Sequence, residues 1–354
     1  MKRIRVHGNQ SIKRDKEGQL TIASISIHMR SRVPPSISTN TNIIQLHYKG
    51  MDSAFIFKYP TRSILKVCTP VKRPYNILEC SYIEVQEWLK ETDVILIPIG
   101  SCEKHGPHLP LGTDSFITLA VVEKAAEKAN VPHTPLLPYG YSPHHMGEPG
   151  KGVGSVTLRG RTFRYLIYDI ALSLIYHGFN KLVFVSHHGS NTKVMDDALR
   201  DIRYRTGALP VWYKTPTERD IKLIKDLLKS SPEEAPGWHS GEEETSVLMY
   251  YRPDLVKMER AQPRSIHAPK WLGEKFVKTD GAPTIEFMGS ENIWIPLEHH
   301  EYSDNATIGN PFISSPETGR AIVERISTHL AEFVKELKKV NVPVHYRDFK
   351  ERAF

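Results

Sequence analysis

The segment GSCEKHGPHLPLGTD, residues 100–114, carries two carboxylates and an imidazole directly after an apolar run. Glu103 and His105 lie two residues apart, so both side chains point to the same side of an extended chain. Two prolines restrict the following loop, which delivers Asp114 to the start of a predicted helix. Mixed carboxylate and imidazole ligands are typical of Zn²⁺, Mn²⁺ or Fe²⁺ sites. Asp114 has a simpler alternative role as a helix N-cap.

A second polar cluster follows another apolar run. His187 and His188 come directly after KLVFVS, residues 181–186, which reads as a buried strand. Ligands of open α/β sheets bind beyond the carboxyl ends of the strands. Two clusters at two strand ends therefore indicate one shared metal site. One of the two histidines could instead simply face solvent or cap the sheet, and we expect His187 to lie behind the ligands or to face solvent.

The third cluster is GWHSGEEETSVLMY, residues 237–250. His239 precedes three glutamates that open a predicted helix, where acidic residues also favour the helix dipole. Only one or two of these glutamates can face the site. His145 and Trp238 are candidates for the pocket walls, and ordinary packing explains Trp238 equally well. Cys102 has no base fixed beside it, so we do not expect a thiol nucleophile.

The elements that must position these clusters alternate between strand and helix. Strands are predicted at 93–100, 134–138, 181–186 and 209–213, and helices at 82–92, 115–130, 161–179, 191–207, 217–229, 242–251 and 317–338. Asn191 is a candidate N-cap of its helix, and Gly207 ends it. Alternation of this kind predicts a mostly parallel central sheet covered on both faces, a three-layer α/β/α sandwich.

The chain divides by charge as well as by pattern. Residues 1–75 hold 14 Lys and Arg against 3 Asp and Glu, so the net charge of +7 belongs to this basic extension. Short strands are predicted there at 42–48 and 54–58, and Met51 is an alternative start. No aromatic-plus-basic motif accompanies the charge, so we expect no nucleic-acid partner. The metal-binding domain is predicted over 76–345, followed by a tail at 346–354.

Composition excludes other classes. No run approaches 18 apolar residues, which argues against a membrane span. No signal-peptide pattern opens the sequence, and the three cysteines form no CxxC pair, so we expect a reducing cytoplasm. A dinucleotide- or flavin-binding module is the alternative from another class, but no GxGxxG follows the first predicted strand.

Together the three clusters resemble the creatininase (creatinine amidohydrolase) family. PIGSCEKHGPHLPLGTD is similar to the family hallmark PxGSxEQHGPHLPLxxD. SHHGSN at 186–191 corresponds to NGHGGN, and HSGEEETS at 239–246 corresponds to HAGxxETS. The resemblance covers about residues 78–340.

The resemblance implies an α/β/α fold with two divalent metal ions at the carboxyl edge of the sheet. Zn²⁺ is the expected ion, with Mn²⁺ and Fe²⁺ as alternatives. Glu103 and His188 match ligands of one metal, and His105 matches a ligand of the other. Asp114 matches the bridging carboxylate. The resemblance also implies a homo-oligomer, most often a hexamer.

Three positions depart from the family pattern: Lys104 replaces the usual glutamine, Ser186 replaces the usual asparagine, and Ser190 is the third. Ser190 stands where creatininase proper has a glutamate ligand, and Glu244 is expected to replace it. Glu244 and His239 are the expected catalytic residues, with His239 giving a proton to the leaving group.

The implied activity is hydrolysis of an amide or cyclic amide C–N bond in a small molecule by metal-activated water. Ring-opening C–C hydrolysis of a cyclic keto-inositol and removal of a formyl group are the alternatives.

Overall fold

The computed structural model describes residues 73–216, 221–230 and 239–350, together with four short strands before residue 61. The chain divides into a unit over residues 1–72 and a unit over residues 73–354. In the first unit, β1 (Ile12–Arg14) pairs with β2 (Leu20–Ile22), and β3 (Thr41–Leu46) pairs with β4 (Phe55–Pro60). Both pairs are antiparallel, and the second confirms the two predicted strands of the extension.

In the second unit a three-stranded parallel sheet lies at the centre. Its strands are β5 (Val94–Pro98), β6 (Lys181–Ser186) and β7 (Leu209–Lys214), in that order. The prediction of a strand at 134–138 is wrong, because only isolated bridges such as Leu137 to Ile99 form there. Pro135 and Pro138 lack the N–H groups that a continuous ladder requires.

Helices cover both faces of this sheet. They are α1 (Tyr82–Glu91), α2 (Thr113–Ala129), α3 (Gly160–His177), α4 (Thr192–Thr206), α5 (Glu242–Tyr251), α6 (His299–Tyr302) and α7 (Pro316–Lys338). One face of the strands packs on α2, α5 and α7 through Val94, Leu96, Val183 and Val185. The other packs on α3 and α4 through Ile95, Ile97, Leu182 and Phe184. This alternation gives the predicted three-layer α/β/α sandwich.

Two local predictions about helices fail in whole or in part. Of the helix predicted at 217–229, residues 217–220 lie outside the described ranges, and 221–230 contain only a 3₁₀ turn at Lys225–Leu227. Asn191 stands at the N-cap position of α4, as predicted, but its side chain makes no capping hydrogen bond, because it accepts from the Tyr141 amide (2.8 Å) and donates to the Gly100 carbonyl (3.1 Å). It ties together the loops that follow β5 and β6. Gly207 ends α4 as predicted, with φ at 76°.

A second, antiparallel sheet was not predicted. It contains β8 (Phe276–Val277), β9 (Thr284–Phe287) and β10 (Ser290–Trp294). Its small apolar cluster includes Tyr302 and Ile308. None of the helices within the described ranges is both long and apolar enough to span a bilayer.

Two aromatic residues of α3 test how much the buried face of this helix contributes to the free energy of unfolding. Phe163 is fully buried, whereas Tyr165 is 59% exposed on the same helix. We expect Phe163→Ala to lower the free energy of unfolding by about 3–5 kcal/mol, because it leaves a cavity. Tyr165→Ala should change it by less than about 0.5 kcal/mol. Urea denaturation of both variants measures this, and equal losses would contradict the assignment of layers.

Candidate metal centre

The edge formed by the carboxyl ends of β5 and β6 gathers the predicted metal ligands. Glu103 and His105 lie in the loop after β5, and Asp114 lies in the first turn of α2. His188 follows β6, and Glu244 lies in the first turn of α5. All five side chains are buried. Both helices present their N-termini to this edge, and the dipole there favours carboxylates.

Asp114 is not the N-cap of α2. The capping position belongs to Gly112, and no side chain caps that terminus. The Asp114 carboxylate instead accepts a hydrogen bond from the Ser101 hydroxyl and faces the cluster. The alternative role that the sequence left open for Asp114 is therefore wrong.

The ligands form two sets that share Asp114. In the first set, His188 Nδ1 lies 3.3 Å from Glu103 Oε1 and 3.2 Å from Asp114 Oδ2. In the second set, His105 Nε2 lies 3.5 Å from Asp114 Oδ1 and 3.8 Å from Glu244 Oε2. Within each set, ligand atoms from all three residues lie within 4.8 Å of one another. Asp114 therefore offers one carboxylate oxygen to each set.

Hydrogen bonds to the far side of each imidazole set its orientation. His105 Nδ1 donates to the Glu103 carbonyl at 3.1 Å, which directs Nε2 toward the carboxylates. His188 Nε2 lies 3.1 Å from the Tyr141 carbonyl and 3.0 Å from Ser142 Oγ, which leaves Nδ1 toward the carboxylates. Histidines that ligate metals commonly donate their second N–H to a carbonyl in this way.

Two buried atoms of the cluster support a cation as its missing component. Glu103 Oε2 and His105 Nε2 have no hydrogen-bond partner among the described residues. Buried polar atoms are normally paired, and buried carboxylates need compensating positive charge. The donor set of oxygens and imidazole nitrogens suits divalent zinc, manganese or iron. The residues therefore fit divalent metal ions.

Glu244 is held from behind by His187. His187 Nε2 lies 3.3 Å from Glu244 Oε1, and His187 Nδ1 lies 2.7 Å from Thr215 Oγ1. The Ser240 amide donates to Glu244 Oε2 at 2.6 Å. His187 is only 1% exposed, so of its two expected places it takes the one behind the ligands and does not face solvent. It supports the carboxylate without belonging to either ligand set.

Further histidines line a cavity of about 590 Å³ above the two sets. His239 Nε2 donates to the Lys104 carbonyl at 2.7 Å, and its ring stacks on His105 with centroids 4.2 Å apart. His145, a predicted wall residue, has Nε2 at 3.3 Å from Glu103 Oε1. His299 stacks on His145 at 4.4 Å and was missed, because nothing in its local sequence marks it. Trp238 lies outside the described residues.

The charges of the cluster shift the pKa values in opposite directions. Burial alone would lower the pKa of His105, but Asp114, Glu244 and Glu103 outweigh burial and raise it to about 10. Burial also opposes the charged form of His188, yet Glu103 and Asp114 raise its pKa well above the ordinary value. Against the effect of burial, His105 and His188 hold the pKa of Asp114 well below its usual range. The carboxylates of the cluster therefore favour positive charge at the positions of both imidazoles.

The fold and the site define the class of this protein: an α/β/α protein with carboxylate and histidine clusters suited to metal ions. A family model described as creatinine amidohydrolase matches residues 78–334. The chain belongs to the creatininase family, and it is therefore an enzyme of the hydrolase type.

Relatives in this family differ in what their names say they act on. The chain is 31% identical to a creatinine amidohydrolase of Pseudomonas putida over 181 residues, 47% of this chain and 67% of that protein. It is 26% identical to a 3-dehydro-scyllo-inosose hydrolase of Thermotoga maritima over 267 residues, 72% of this chain and 80% of that protein. A mycofactocin precursor peptide peptidase of Mycolicibacterium smegmatis is 31% identical over 169 residues, which cover 46% of this chain and 60% of that protein.

Solved structures of the same family share the fold. A crystal structure of creatinine amidohydrolase matches with a TM-score of 0.60 and 24% identity, covering 76% of this chain and 100% of that one. A structure titled creatininase Mn and a variant described as Zn-Zn type each match with a TM-score of 0.59 and 24% identity. They cover 75% and 76% of this chain, and 99% and 100% of their own.

Metal binding should release protons and strengthen as pH rises. The pKa of His105 is raised to about 10 and that of His188 is raised in the same direction, so an incoming cation competes with protons for both rings. We expect release of up to about two protons per chain when Zn²⁺ fills both sets. Calorimetry in buffers of different ionisation enthalpy measures the release. A heat of binding that is independent of the buffer would contradict it.

Proposed function

We propose that this enzyme hydrolyses an amide or cyclic amide C–N bond with two divalent metal ions bridged by Asp114. The observation that carries the proposal is the division of the Asp114 carboxylate. Its Oδ2 lies 3.2 Å from His188 Nδ1, and its Oδ1 lies 3.5 Å from His105 Nε2. A carboxylate that offers one oxygen to each of two ligand sets is suited to bridging two ions.

Each ligand set would hold one ion, for which Zn²⁺ is the first candidate and Mn²⁺ or Fe²⁺ the alternatives. Glu103 and His188 belong to one set, and His105 and Glu244 belong to the other. Ions bound in such a pair lower the pKa of water toward neutrality and polarise a carbonyl group. Glu244 thus takes the place of the carboxylate absent at Ser190, and His187 fixes its orientation.

His239 is the proposed proton donor to the departing nitrogen. Its Nε2 is committed to the Lys104 carbonyl, so Nδ1 is the atom left to exchange a proton in the cavity. Burial, followed by the nearby charge of His105, lowers the pKa of His239. A lowered pKa favours release of the proton to the leaving group once the ring is protonated.

A ring-opening C–C hydrolase is the second candidate. The alignment with the 3-dehydro-scyllo-inosose hydrolase covers 72% of this chain, whereas the alignment with the creatinine amidohydrolase covers 47%. The same residues serve either reaction, because both place the attacking water on a carbonyl carbon and protonate the departing atom. The substrate is a small molecule in both cases. The cytoplasmic location and the hexameric assembly stay predictions.

Removing one histidine should remove metal. We expect His188→Ala to lower the metal content from two ions per chain to one or fewer, because an ion held by Glu103 and Asp114 would lose its nitrogen ligand. Elemental analysis after dialysis measures the content, and circular dichroism checks folding. His267→Ala, at a histidine outside every cluster, is the control and should keep both ions. Full occupancy in His188→Ala would refute the ligand assignment.

Removing the proposed proton donor should separate metal binding from turnover. We expect His239→Ala to keep both ions and to lower kcat by about 10²–10⁴-fold on a hydrolysed amide. The loss should be smaller when the leaving group needs no proton, so an activated anilide or ester serves as the comparison substrate. An unchanged kcat on the unactivated amide would remove His239 from the mechanism.

A further inference from the structure

The cavity above the metal ligands carries a cation with no carboxylate beside it. Lys193 lines the cavity, and its ammonium lies 5.5 Å from the centre of the Trp294 ring, which also lines it. Among the residues that the structure describes, no carboxylate lies within ion-pair distance of Lys193. Lys193 is an exposed residue, and partial burial of its ammonium lowers its pKa, an effect that the charge of Glu103 partly offsets.

The position of Lys193 in its helix is unfavourable unless an anion is present. Lys193 is the second residue of α4, whose first turn contains no acidic residue and whose N-terminus has no side-chain cap. A helix N-terminus carries a partial positive charge, which disfavours a lysine and favours an anion. Gly189, Ser190 and Thr192 around this N-terminus line the same cavity. The Lys193 ammonium and the N-terminus of α4 therefore both contribute positive charge to the same side of the cavity.

A buried imidazole on the same cavity also needs a partner. His299 is 2% exposed, and neither of its ring nitrogens has a hydrogen-bond partner among the described residues. His144 Nδ1, on the same wall, is likewise buried and unpaired within those ranges. Buried polar groups of this kind are normally satisfied, and a polar molecule bound in the cavity would satisfy them.

The overall charge of the cavity favours the same ligand class. Its carboxylates are Glu103, Asp114 and Glu244, and all three belong to the proposed ligand sets. Two divalent ions would offset the charge of these three carboxylates, which leaves Lys193 and Lys214 as the cationic side chains of the lining. A cavity with this balance attracts anions and repels cations.

We propose that Lys193 and the N-terminal turn of α4 form a subsite for a carboxylate of the substrate, separate from the metal ligands. The proposal rests on the two-metal function above and narrows its substrate class. The substrate is an acidic amide that places its carbonyl at the metal ligands and its carboxylate at Lys193. Trp294 and Ile308 provide apolar contacts for the carbon skeleton between the two ends.

Matched hydroxamates test the subsite directly. The monohydroxamates of succinic, glutaric and adipic acid would each attach to the ions through the hydroxamate, with a carboxylate at the far end. Their terminal carboxamide analogues are neutral and nearly identical in shape. We expect one chain length to bind the zinc-loaded protein at least about tenfold more tightly as the carboxylate than as the carboxamide, measured by calorimetry.

Variants then assign the preference to Lys193. Lys193→Met should abolish it while leaving the affinity for the carboxamides unchanged, and Lys193→Arg should retain it. Lys151→Met, at an exposed lysine outside the cavity, is the control and should behave as the wild type. Equal affinities for both probe types, or a preference that survives in Lys193→Met, would overturn the subsite. If neither probe type binds, the two-ion site itself is rejected, and with it the subsite.

Discussion

Three carboxylates buried within a few ångströms of one another are the constraint on which the site depends. Glu103, Asp114 and Glu244 are each at most 5% exposed, and like charges at such depth destabilise a fold unless cations neutralise them. The same carboxylates raise the pKa values of His105 and His188 and so favour the charged form of both imidazoles. Divalent ions would neutralise the three carboxylates. They would also give a partner to the buried atoms that have no hydrogen bond.

The fold meets this constraint through its sheet. Parallel pairing of β5 and β6 brings the ends of both strands to one edge, so residues about 80 positions apart in sequence become neighbours. The N-termini of α2 and α5 reach the same edge and favour the carboxylates of their first turns. Asn191 joins the loops after the two strands through hydrogen bonds at Tyr141 and Gly100, which keeps the ligand sets in register.

Much of this arrangement could be predicted from sequence because the signals are local. The apolar runs of β5, β6 and β7 predict buried strands. The polar residues that directly follow a strand must lie at its carboxyl end, so their position is predicted as well. Predictions failed where a tertiary contact overrides the local signal, as in the capping roles of Asp114 and Asn191. No strand forms at 134–138 because Pro135 and Pro138 have no N–H group to donate to a neighbouring strand. His299 lies in α6, which follows the small sheet of β8, β9 and β10 along the chain, and the short, irregular strands of that sheet carry little periodicity.

Anomalous diffraction from crystals of the purified protein, collected at the absorption edge of the bound metal, tests the central claim most directly. The account predicts two peaks about 3.5–4 Å apart, one on each side of Asp114. One peak would lie beside Glu103 and His188, and the other beside His105 and Glu244. A single peak, or peaks in which Asp114 contacts no ion, would contradict the two-metal site.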